Sequence, residues 1–156
     1  MYKRILFLAE GMGCRIALAA GLAAFAAASL AQLPPPAECP QPRFTGKAPD
    51  EFYTRKSPLP ADADVRAAEA IFQEKGGKLA CATCHGAKGD GRGSMSGQFD
   101  PRPRNFRCAA TVNGIPDGQL FWIIRFGSPG SAMPPHANLT DEQIWQLVLY
   151  LRRLAN

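Results

Sequence analysis

The sequence predicts an all-α domain, preceded by two segments that do not belong to its core. Three observations lead there. Apolar residues recur at helical spacing near the C-terminus, at Ile144, Leu147, Val148 and Leu151, and shorter stripes lie at residues 65–72 and 120–124. A length of 156 residues fits a single domain. No period of 20–50 residues recurs, which removes a solenoid. The apolar fraction of 46% excludes a disordered chain, and 15 Gly and 14 Pro without a repeat exclude collagen.

The first segment, residues 1–31, reads as a secretory signal peptide. Lys3, Arg4 and Arg15 precede an apolar stretch over residues 16–30, and Ser29-Leu30-Ala31 supplies small residues at its exit. A retained membrane anchor is the alternative. A span needs about 20 apolar residues, however, and Pro34-Pro35-Pro36 cuts this one short. Cys14 does not directly follow the apolar run, which argues against a lipoprotein cysteine. Export would place the remainder in the periplasm, an oxidising compartment.

Charge is altered by that removal. The formal net charge of the whole chain is +5. Lys3, Arg4 and Arg15 against Glu10 carry +2 of it, so residues 32–156 hold about +3. So small an excess does not point to nucleic acid.

Residues 32–60 contain Pro34, Pro35, Pro36, Pro40, Pro42, Pro49, Pro58 and Pro60. This density disfavours regular helix and predicts an extended, semi-rigid arm acting as a tether. Phe44, Phe52 and Tyr53 offer the other reading, in which the arm packs on the domain.

Residues 61–156 carry the helices. The first begins after Asp62 or Asp64, either of which can cap free amides, and places Val65, Ala68, Ile71 and Phe72 on one stripe before Gly76-Gly77. A second runs from Asp117 to Phe126 and ends at Gly127, Pro129 and Gly130. The last opens with a capping box, Thr140 and Gln143, has Asp141 and Glu142 at its positive end, and closes on Arg152 and Arg153. Between the first two lies a stretch over residues 88–116 without strong period. A structureless loop of that length in a compact domain calls for an explanation such as a bound cofactor.

Cys81-Ala82-Thr83-Cys84-His85 supplies one. Positions i, i+3 and i+4 share a helix face, so two thiols and an imidazole converge on one object. C-x-x-C-H is the attachment signature of c-type haem, with the cysteines joined to the vinyl groups and the histidine bound to iron. A zinc site would need further ligands that the chain does not cluster, a thioredoxin-like pair would need βαβ context, and a plain disulfide leaves His85 unexplained.

From about residue 61 onward the chain resembles class I cytochromes c. The first helix, the Cys81–His85 motif, a Met in a Pro-containing loop and a terminal aromatic-bearing helix come in that family's order. The run 85–91, His-Gly-Ala-Lys-Gly-Asp-Gly, is similar to the stretch after the motif in many bacterial members. The resemblance implies a small helical domain wrapped around one covalent haem c, with its first and last helices crossing through contacts such as Phe72 with Tyr150 or Leu147. It also implies that Ser128-Pro129-Gly130-Ser131-Ala132-Met133-Pro134 is the loop of the sixth ligand. Met133 is then the axial partner of His85, while Met95, His136 and an open position remain as alternatives. The family commonly orients its histidine through a Pro carbonyl, for which Pro101 and Pro103 are the candidates. Arg104, Asn105, Trp122 and Arg125 are candidate donors to the propionates. Outside the resemblance, Cys39 and Cys108 remain for a disulfide closing a loop of about 70 residues.

A six-coordinate haem with a methionine ligand suits outer-sphere electron transfer rather than catalysis. The expected function is an exported monohaem cytochrome that carries electrons between a redox protein donor and acceptor, such as a dehydrogenase and an oxidase. The alternatives are a haem subunit of a periplasmic dehydrogenase complex, and a haem enzyme or gas sensor with a labile sixth ligand.

Overall fold

A computed structural model of the chain describes residues 39–41, 45–74 and 80–156, all within one compact unit, Ala37–Asn156. The expected signal peptide, Phe44, Gly76 and Gly77 lie outside the described residues. Every regular element among the described residues is helical: α1 Asp50–Tyr53, α2 Arg66–Gln73, α3 Cys81–His85, a 3-10 turn Ser96–Gln98, α4 Ala109–Val112, α5 Asp117–Phe126 and α6 Asp141–Leu154.

The core sits where α2, α5 and α6 meet. The stripe on α2 buries Ala68 and Phe72, and α6 answers with Ile144, Leu147, Val148, Tyr150 and Leu151. The rings of Phe72 and Tyr150 lie 5.4 Å apart, the crossing that the resemblance implied. From α5, Phe121 stacks near Trp145 of α6 with centroids 4.5 Å apart. Each fully buried side chain of this size contributes about 1.5–3 kcal/mol, so the three-helix junction is the principal source of stability.

Local chemistry sets the helix ends. At α2, Asp64 rather than Asp62 meets the helix start, with its Oδ1 accepting the Arg66 amide at 2.9 Å. At α6 the capping box is closed in both directions. The Gln143 amide donates to Thr140 Oγ1 at 3.2 Å, and the Thr140 amide donates to Gln143 Oε1 at 2.8 Å. The basic end of α6 does more than complement the helix dipole. Arg152 pairs with Asp117 of α5 at 2.7 Å and donates to the Val112 and Ile115 carbonyls, while Arg153 reaches the carbonyls of Ala61 and Ala63.

The Pro-rich arm departs from the expected extended tether. Pro49 occupies the position before the first turn, where its missing N–H costs nothing, and residues 50–53 contain no proline, so a single turn of helix forms as α1. Phe52 then packs on α5, 6.4 Å from Phe121 and 5.4 Å from Phe126. Gln119 of α5 grips the arm at two points: its Oε1 accepts the Ala48 amide at 2.7 Å and its Nε2 donates to Gly46 O at 2.9 Å. The close approach is possible because residue 118 is glycine, where a Cβ would lie 1.8 Å from the Phe52 carbonyl oxygen. Cys39 and Cys108 are joined in a disulfide that fastens the start of the arm to the residue before α4.

Candidate haem site

The motif Cys81–His85 forms α3, a single helical turn that presents Cys81, Cys84 and His85 to one cavity. A helix this short has more unpaired terminal carbonyls than internal bonds. The loop after it supplies the donors: Gly91 N–H to His85 O at 2.8 Å, Gly93 N–H to Cys84 O at 3.1 Å and Met95 N–H to Thr83 O at 3.1 Å. The segment around Met95 is thus tied to α3 by its main chain. Met95 is not among the residues that line the cavity.

Met133 is. It lines the same cavity as Cys81, Cys84 and His85, together with Phe99, Pro101, Pro103, Ala132, Pro134 and His136. The loop that carries it is pinned on itself. Ser128 N–H donates to Met133 O at 3.2 Å, Ser131 Oγ donates to Ser128 O at 2.8 Å, and the Met133 amide donates to Ser131 Oγ at 3.3 Å. Its exit is held by the His136 amide on Ile124 O at 3.0 Å. His136 is half-buried on the cavity wall rather than facing solvent, and desolvation lowers its pKa below the ordinary imidazole value.

His85 is buried at 8% exposure and held from two directions. Its Nδ1 lies 2.9 Å from the carbonyl oxygen of Arg104, and its ring stacks on Phe106 with centroids 4.5 Å apart. A carbonyl can only accept, so Nδ1 carries the proton and Nε2 the lone pair needed by a metal. The expected Pro carbonyl is corrected here. Pro101 and Pro103 line the cavity, but the carbonyl at Nδ1 belongs to the residue after Pro103. Phe106 and Phe99 carried no sequence signal, because their loop lacks periodicity.

The chemistry of this donor set fits haem c. The cavity has about 580 Å³ of atom-free space, part of it open to solvent, between largely apolar walls. Cys81 and Cys84 are not bonded to each other. Burial pushes the Cys81 thiol up to about 11 and raises Cys84 as well, the reverse of the depressed value that a redox-active thiolate requires. Among the described residues no group of three or more His, Cys, Asp or Glu side chains is arranged to hold a metal ion.

A family model for cytochrome c matches residues 65–155, more than half of the chain. The chain belongs to the cytochrome c family. It is a c-type cytochrome of electron transfer, a family whose cofactor is covalently bound haem c. This cytochrome is also similar to a chain of a reducing HAO-like protein complex from Kuenenia stuttgartiensis. There the identity is 27% and the TM-score 0.50 over 59% of this chain, and the match spans 44% of that one. No curated protein matches it significantly.

The candidate propionate donors of the cytochrome do not converge on the cavity. Arg104 donates to Thr45 Oγ1 at 2.9 Å and lines a second cleft beside the arm. Asn105 Oδ1 accepts the Arg107 amide at 2.9 Å. Trp122 lies beside Phe126, 6.1 Å between centroids. Arg125 pairs with Asp141 and donates to Leu139 O at 2.6 Å. None of the four is among the cavity-lining residues. Their side chains were legible in the sequence as donors; which neighbour each would meet depends on tertiary packing.

Proposed function

We propose that the chain is an exported monohaem cytochrome that carries single electrons between redox proteins and is not itself an enzyme. One observation carries this reading: Cys81, Cys84, His85 and Met133 line a single cavity. Cys81 and Cys84 would hold the haem through thioether bonds, and His85 Nε2 and the Met133 sulfur would be the protein ligands to its iron. Haem c supplies the one-electron Fe(III)/Fe(II) couple. The chain's own task is to hold both ligands in place and to keep water from the cavity. Arg104 O fixes the His85 ring, and the bonds among Ser128, Ser131 and Met133 hold the thioether loop. With His85 and Met133 both serving as iron ligands, the site would favour outer-sphere transfer over substrate chemistry.

The test is an optical and redox titration of the holoprotein beside Met133→Ala and His136→Ala. A weak thioether raises the potential relative to nitrogen ligation. Met133→Ala should lose the low-spin methionine spectrum and fall in potential, whereas His136→Ala should keep both. An unchanged spectrum and potential in Met133→Ala would remove Met133 from the iron. Tight carbon monoxide binding by the untreated ferrous protein would favour a sensor or enzyme instead.

A second reading is favoured by the likeness to a chain of an HAO-like complex. In it the chain is a haem subunit bound to a catalytic partner. Purification from its host at native concentration separates the two: a carrier elutes alone, and a subunit co-elutes with an enzyme.

A further inference from the structure

The carbonyl that orients His85 does not stand by itself. Gln41, in the Pro-rich arm, brackets it with both ends of one amide. Its Nε2 donates to Pro103 O at 3.3 Å and its Oε1 accepts the Asn105 amide at 2.7 Å. The residue skipped between them is Arg104, whose carbonyl meets His85 Nδ1 at 2.9 Å. Pairing a carbonyl and an amide two residues apart holds the two peptide planes around Arg104, and with them the direction of its C=O. Gln41 is itself held. Its amide donates to Thr111 Oγ1 at 3.2 Å, and the disulfide Cys39–Cys108 anchors the chain two residues before it. On the far side of the same segment the Phe106 amide donates to Gly89 O at 2.7 Å while its ring stacks on His85.

We infer that Gln41 is a positioning residue for His85, through which the N-terminal arm tunes the haem potential. The inference rests on the reading of His85 as the iron ligand. A carbonyl that accepts the Nδ1 proton makes the imidazole a more basic ligand. A more basic ligand stabilises ferric iron. Freeing the 103–105 segment weakens that bond, lowers ligand basicity and moves the equilibrium toward the reduced form.

The experiment uses the disulfide-bonded holoprotein. In the wild type, the haem absorption spectrum, the reduction potential and the solvent exchange of the His85 Nδ1 proton (by NMR in the ferrous state) are recorded. Gln41→Ala removes both bonds, and Gln41→Met removes them while keeping the side-chain bulk. Lys47→Ala is the control, an exposed residue of the same arm paired with Asp50. In both Gln41 variants the proton should exchange at least tenfold faster. The equilibrium with a fixed redox buffer should move roughly tenfold toward reduction, which is about 59 mV for one electron. Lys47→Ala should leave both unchanged.

The inference is overturned if either the exchange or the potential stays at its wild-type value, or if Lys47→Ala shifts them equally. Failure of both Gln41 variants to give folded holoprotein while Lys47→Ala folds would assign Gln41 to the fold and also overturn it. A wild type lacking the haem c spectrum, or whose exchanging proton is not that of His85, would defeat the underlying ligand assignment. Insensitive variants of a normal wild type defeat only the role of Gln41.

Discussion

At the scale of single side chains, His85 shows how much of a proposed ligand's setting lies outside itself. The residue was legible from its spacing to Cys81 and Cys84, because i, i+3 and i+4 on one turn need no knowledge of the fold. Its supports were not legible. Arg104 contributes a backbone carbonyl, which any residue could offer, and Phe106 belongs to a loop with no period to mark its ring as inward. Met133 was legible from the prolines beside it, whereas the half-buried setting of His136 was not, since only packing removes water from an imidazole. Asp64 gives a prediction at this scale. Its contact with Arg66 depresses its carboxyl to about 2. A folded value below the unfolded one makes the unfolded state bind more protons between the two, so stability rises with pH across that window. The contribution is complete above about pH 4 and fades as pH falls toward 2. Asp64→Asn keeps an acceptor for the Arg66 amide but removes the charge. Urea midpoints should therefore show a small advantage for the wild type at pH 7 that is absent at pH 2. An equal difference at both values would mean that the charge plays no part.

Among the elements, those with local grammar were readable and those without it were not. The capping box of α6 joins residues three apart, and the stripe of α2 repeats within two turns, so both follow from neighbours in sequence. In contrast, α1 arises inside a proline-rich arm, and α4 inside a stretch without period, because each is a single turn completed by contacts from elsewhere. The motif helix α3 is a middle case. Its residues mark it, but its carbonyls are closed by the loop at 91–95. That closure depends on Gly93. A Cβ there would lie 2.1 Å from Thr83 O and 2.6 Å from the Cys84 carbonyl carbon, both backbone atoms with nowhere to move. Gly93→Ala should therefore cost about 1–3 kcal/mol of stability and loosen the motif helix. Gly97 makes the contrast, since nothing lies within 4 Å of its added Cβ. Denaturant unfolding of the two variants should separate them clearly. Equal stabilities would mean that the loop does not brace α3.

At the largest scale, the described residues of the unit Ala37–Asn156 form a three-helix junction with an arm laced across it. Gln119 reaches out to hold the arm at Gly46 and Ala48, and Gln41 reaches back to hold residues 103 and 105. The disulfide fixes one end over a sequence separation of 69. Closing a loop of that length in the unfolded chain is worth about 4 kcal/mol by the chain-entropy estimate. The double variant Cys39→Ser/Cys108→Ser should lose stability of that order, and in the wild-type holoprotein neither Cys39 nor Cys108 should react as a thiol under denaturant. Two reactive thiols, or an unchanged midpoint in the variant, would remove the clasp from the account. Among the described residues no helix is long and apolar enough to cross a membrane. By itself the sequence determined the helical class, the family and the motif residues Cys81, Cys84 and His85, because helix period, capping and the C-x-x-C-H spacing act within a few residues, whereas Met133 rested on the resemblance. Only the tertiary structure decided which carbonyl meets His85, where the candidate propionate donors point and that the arm is a brace rather than a tether. The His85 carbonyl and the brace depend on groups some twenty to seventy residues apart, brought together by a packing that no local pattern encodes.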